Sequence, residues 1–161
     1  MSQADELAIA KAQAATAASN AQFEAAAAAD EAMLRAFPAR ASEALSILER
    51  VGYDVEEMHL LHLQRLVRRQ TFFRDAVYTV DERAGWLLHE CTFIWGGENV
   101  ECAAYWLVSD GTIALTGGGS DRPPLDGRRI DISDAFHHTN SQSELRAAYA
   151  ALVELGRKYD R

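Results

Sequence analysis

The sequence predicts an α+β fold: N-terminal helices, a four-stranded antiparallel β-meander and a C-terminal helix, packed in two layers. Three observations carry this. Alanine is concentrated at the start, with 19 in residues 1–44 and 10 in the remaining 117. Aromatic and β-branched runs separated by turn signals fill the middle. An amphipathic stripe then ends the chain.

From Ala4 to about Ala36 there is no glycine or proline, and alanine has the best helix propensity of any residue. Large apolar side chains are sparse there, so burial adds little to this helix. Residues 1–37 therefore read as an alanine-rich helical extension that Phe37-Pro38 ends, and 38–161 as a single α+β domain. A second helix is expected after Pro38, with Ala41, Ala44, Leu45, Leu48 and Val51 as its stripe and Gly52 as its stop. Asp54, with Glu57 three residues on, has the form of a capping box and predicts a third helix over "VEEMHLLHLQRLVRRQ".

The next four runs, "FFRDAVYTV", "GWLLHECTFIW", "VECAAYWLV" and "TIALT", read as strands. Two-residue turns at Gly96-Gly97 or Gly97-Glu98, and at Asp110-Gly111, would place Leu87, His89, Cys91, Phe93, Trp95, Val100, Cys102, Ala104, Trp106 and Val108 on one buried face. The opposite face would carry Trp86, Leu88, Glu90, Glu101, Tyr105 and Leu107, a mixture suited to a partner surface, a pocket or cover by a helix. "GGGSDRPPLDGRR" reads as a loop. Ser141 with Glu144 then caps a last helix with the stripe Leu145, Ala148, Tyr149, Leu152, Leu155 and Tyr159.

A formal charge of -8 disfavours nucleic-acid binding, which needs cations to displace counterions from phosphates. No segment approaches the roughly 20 apolar residues of a membrane span. The first residues carry acids where a secretory signal carries bases. The expectation is a cytoplasmic protein, not membrane-bound, with both cysteines reduced and buried.

No specific catalytic motif is present. His89 and Cys91 share a strand face, but that face is assigned to the core, out of a substrate's reach. His59 and His62 have a usable ligand spacing, as do some of Asp131, Asp134, His137 and His138, yet neither set completes a site. No metal, cofactor or catalytic residue is assigned.

Residues 58–75 carry four arginines and one acid, the only basic island in an acidic chain. Arg65, Arg68 and Arg69, together with Trp86, Glu90, Glu101 and Tyr105 of the mixed sheet face, form the candidate partner-binding set. The preferred function is a small, acidic, non-catalytic protein–protein interaction factor: an inhibitor, an immunity or antitoxin-like protein, or a phage or bacterial adaptor. Its partner would be another protein of basic character. Two alternatives stay open: a small enzyme or ligand-binding protein with a pocket on a curved antiparallel sheet, and a homodimer or higher oligomer assembled through the alanine-rich helix.

Overall fold

The computed structural model describes residues 2–52, 58–95, 99–117, 125–138 and 142–159, without the side chains of 91–102 and 138. The chain divides into two compact units, residues 1–35 and 36–161. Helix α1 (Gln3–Val51) begins in the first and ends in the second. At its start Ser2 Oγ accepts a hydrogen bond from the Asp5 N–H (3.2 Å), and Asp5 Oδ2 accepts one from the Ser2 N–H (2.9 Å). This reciprocal cap satisfies donors that a helix end leaves orphaned.

The expected break at Pro38 does not occur; α1 runs through it. A helical proline gives up one backbone hydrogen bond and crowds the preceding turn, at a cost of about 3 kcal/mol. Around it, Phe37, Ala41, Ala44, Ile47 and Leu48 are all buried. Each large apolar side chain so placed contributes about 1.5–3 kcal/mol, enough to offset the proline. The helix ends where expected, at Gly52, whose φ of 78° is a left-handed conformation natural to glycine.

The sheet is a closed five-stranded barrel, not a four-stranded meander. Its strands are β1 (Met58–Arg68), β2 (Val77–Trp95), β3 (Asn99–Val108), β4 (Ile113–Thr116) and β5 (Leu125–Arg129). Successive strands pair antiparallel, and β5 closes the ring by pairing parallel to β1 at Leu61–Leu63. Three expectations are thereby corrected. The segment read as a third helix is β1, the runs "FFRDAVYTV" and "GWLLHECTFIW" read as two strands join in β2 with Phe72 and Phe73 ahead of its start, and part of the segment read as a loop is β5. In β1 the leucines, glutamine and arginines are good helix formers, but propensity differences are below about 0.7 kcal/mol per residue. Pairing with β2 and burial of Leu61 and Leu63 inside the barrel outweigh them.

Leu61, Leu63, Ala104, Trp106, Val108 and Ala114 fill the barrel, with Leu87 and Leu125 beside them. Trp106 Nε1–H donates to Thr116 Oγ1 at 2.9 Å, so a buried donor and a buried acceptor satisfy each other. Gly85 has no room for a Cβ because the Leu61 side chain occupies that space.

Both hairpin registers differ by one residue from those expected. Leu107 pairs with Ile113 and Trp106 with Ala114, leaving a longer turn in which Gly111 takes a φ of 86°. Trp95 pairs with Asn99, so three residues separate the strands rather than two. Cys91 consequently lies across from Ala103, and Cys102 across from Thr92. The expected burial of the two thiols falls outside the described residues. Near the base of β2 the register shifts between Leu87 and His89. Leu87 pairs with Trp106, whereas His89 pairs with Tyr105, so this β-bulge turns His89 to the outer face.

Outside the barrel, α2 (Ile132–His138) is a short helix not expected from the sequence; Asp131 Oδ1 caps it by accepting from the Asp134 N–H at 2.9 Å. Helix α3 (Gln142–Tyr159) buries Leu145, Ala148, Leu152 and Leu155, four of its expected stripe. The Phe37 and Tyr149 rings meet at 5.5 Å, and Leu45 and Leu48 face Trp86 and Leu107. The part of the sheet's outer face that carries Trp86 and Leu107 is thus covered by α1.

Candidate functional site

Among the described residues, β1 beyond Leu63 pairs with β2 alone, and β2 before Ala84 pairs with β1 alone. The two strands leave the barrel as a hairpin. At its apex Thr71 and Arg74 exchange backbone hydrogen bonds of 2.8 and 3.4 Å, which makes Phe72 and Phe73 the two central residues of a tight turn. Neither Phe72 nor Phe73 takes a positive φ, so the backbone of this turn accepts most residues and does not itself call for phenylalanine. Phe72 is 95% exposed and Phe73 89%. Their rings meet edge to face, 5.0 Å apart at 85°, and form one apolar knob.

Arg69 and Arg74 flank the turn, and Arg65 and Arg68 lie along its first leg, all exposed. Arg68 Nη2 donates to the Asp75 carbonyl at 3.1 Å, tying the two legs together. Arg65, Arg69 and Arg74 form no ion pair with a described residue. Leu66, Val67, Val77, Tyr78 and Val80 add exposed apolar surface along the legs. The shift between Leu66 and Arg68 inserts Val67 as an extra residue and strengthens the local twist.

The base of the hairpin is pinned by charge. Arg129 Nη2 reaches Asp81 at 2.8 Å and Asp110 at 2.7 Å, and Arg83 Nε reaches Asp81 at 3.0 Å. Hydrogen bonds from Arg129 and Arg83 hold the Asp81 carboxyl below the usual range. For Asp110, partial burial pushes upward, but hydrogen bonds from Thr112 and Arg129 outweigh it and the net direction is down. Arg129 is shifted up, its hydrogen bond to Asp81 being the largest cause. His62 Nε2 lies 2.8 Å from Glu82, with Asp126 3.7 Å from its other ring nitrogen.

Where β1 parts from β5, an open groove of about 630 Å³ runs between them, with Gln64, Leu66 and Tyr78 on one side and Asp126, Gly127 and Arg128 on the other. Leu115 and Thr116 also line it.

No family model, no curated protein and no solved structure matches the chain. The site therefore rests on its own chemistry. The structure brings Arg65, Arg68 and Arg69 together on the hairpin but separates them from the other expected site residues. Trp86 is 6% exposed and Tyr105 3%, both buried within this chain, Trp86 beside Leu45 and Leu48 of α1. Glu90 is exposed and pairs with Ala104 at the far side of the bulge. The Glu101 side chain lies outside the described residues. Neither Glu90, His89 nor Tyr105 lines the groove. His89 instead makes a 2.5 Å hydrogen bond to Glu144, joining β2 to α3.

Sequence reasoning missed Phe72 and Phe73. The signal was present: "RRQTFFRD" sets two aromatics between polar residues and arginines, a poor beginning for a buried strand. Among the described residues no cluster of three or more His, Cys, Asp or Glu side chains is arranged to hold a metal ion.

Proposed function

We propose that this chain is a non-catalytic protein–protein interaction factor and that the β1–β2 hairpin is its docking element. The carrying observation is the Phe72-Phe73 pair, two large apolar side chains at a turn that the fold closes without needing them. Exposed aromatics flanked by arginine have the composition of an interface anchor and its rim. The net charge favours a basic partner, but the hairpin reverses this locally. Residues 58–75 carry +3, so the surface it meets is acidic around an apolar cleft.

The test is affinity purification from the native host with quantitative mass spectrometry, comparing the full chain with F72S/F73S, R69E/R74E and E90Q. A partner lost from the first variant, reduced in the second and kept in the third supports the proposal. A partner retained at equal level by F72S/F73S overturns it.

A further inference from the structure

We infer that the groove at the hairpin base holds an extended acidic segment of the partner, added as a strand to the free edge of β1. This rests on the reading of the hairpin as a protein-docking element. Beyond Leu63, β1 has β2 on one side and, among the described residues, no strand on the other. In an antiparallel pair, alternate residues turn their N–H and C=O groups away from the partner strand. Part of Gln64–Arg68 therefore presents backbone donors and acceptors outward, the feature that strand addition uses.

The groove lies on that edge. Its volume of about 630 Å³ falls in the range of ligand sites, but it is only partly enclosed, whereas a small molecule is held by near-complete enclosure. An extended peptide needs only one side covered.

Side chains give the segment its chemistry. Leu66 and Leu115 offer apolar contact, and Tyr78 a ring with a hydroxyl. Arg128 forms no ion pair with a described residue, and Arg68 and Arg69 stand at the outer end of the same edge. At the inner end, Asp126 and Glu82 face His62. Acidic side chains of the segment are drawn toward Arg128 and the arginine end and kept from the Asp126 end.

The test uses isotope-labelled full-length protein and three synthetic ten-residue probes: glutamate alternating with leucine, lysine alternating with leucine, and the first peptide with alternate backbone amides N-methylated. The glutamate peptide is expected to shift the amide signals of Gln64–Arg68 and Asp126–Arg128. The lysine and N-methylated peptides should bind at least tenfold more weakly, and R128E should weaken the glutamate peptide about fivefold or more. Equal binding of the N-methylated peptide overturns strand addition, because charge alone would then suffice. The same shifts with free hexanoate at similar affinity overturn it in favour of a small-anion site. Absence of binding by the glutamate peptide also overturns it. If F72S/F73S still loses the captured partner in that case, the docking role of the hairpin stands and only the groove assignment falls.

Discussion

Replacing Thr116 by valine tests the barrel interior directly. The hydroxyl accepts the Trp106 indole N–H at 2.9 Å, and both residues are about 3% exposed. Valine preserves the shape but cannot accept, so a buried donor is left without a partner, at a cost of about 1–3 kcal/mol. Burying a methyl in place of a hydroxyl recovers part of this, roughly 0.5–1 kcal/mol. The net loss is about 1–2 kcal/mol, or a shift of about 5- to 30-fold in the folding equilibrium. Urea denaturation followed by far-UV circular dichroism measures it, with T116V, W106F and the double variant forming a cycle that isolates the pair. A coupling energy of about 1 kcal/mol is expected. Coupling below about 0.3 kcal/mol, or a T116V protein as stable as the parent, would show that the indole has another partner and would refute the packing described for the barrel core.

Other perturbations follow from the same geometry. F72S/F73S should leave unfolding within about 0.5 kcal/mol of wild type by urea denaturation, since neither ring is buried, while abolishing partner capture. G85A drives a methyl into Leu61 and should destabilise by about 1–3 kcal/mol in the same assay. Asp81 and Asp110 both have carboxyls depressed in the folded state, so their contribution is present above the unfolded carboxylate range near pH 4 and is lost as pH falls through the lower folded values. Thermal melts below about pH 4 should show that loss, and R129M should flatten it. L152A should cost about 2–5 kcal/mol by chemical denaturation, because Leu152 is among the best-buried side chains of α3.

Helix α3 was legible because its apolar stripe repeats with the helical period and its neighbours along the chain are polar. The strand character of β3 and β4 was legible from their aromatic and β-branched runs, whereas β2 was read as two strands, "FFRDAVYTV" and "GWLLHECTFIW", that the structure joins into one. The registers were not legible: a three-residue loop and a two-residue turn contain the same glycines, and one residue of difference reverses facing. β1 resembled a helix because leucine, glutamine and arginine suit one, and only its pairing with β2 and β5 decides otherwise. β5, "LDGRR", carries one large apolar residue and has meaning only as the strand that closes the ring. The arginine cluster of the site was visible in the local charge. Trp86 and Tyr105 were assigned to a partner face because sequence does not show which strands its own helices will cover.

The bulge between Leu87 and His89 acts as a phase shift in a long strand. Before it, the alternation of β2 matches the barrel core, with Leu87 beside Trp106; after it, the inside-outside rhythm restarts one beat late, and His89 is aimed at Glu144 of α3. A strand of 19 residues thereby serves two different neighbours, each in its own phase. Substitution tolerance along β2 should break its two-residue period at Leu88. Deleting that one residue would restore an unbroken period with His89 still opposite Tyr105 on the outer face, so the link between the sheet and the last helix would survive the loss of the bulge.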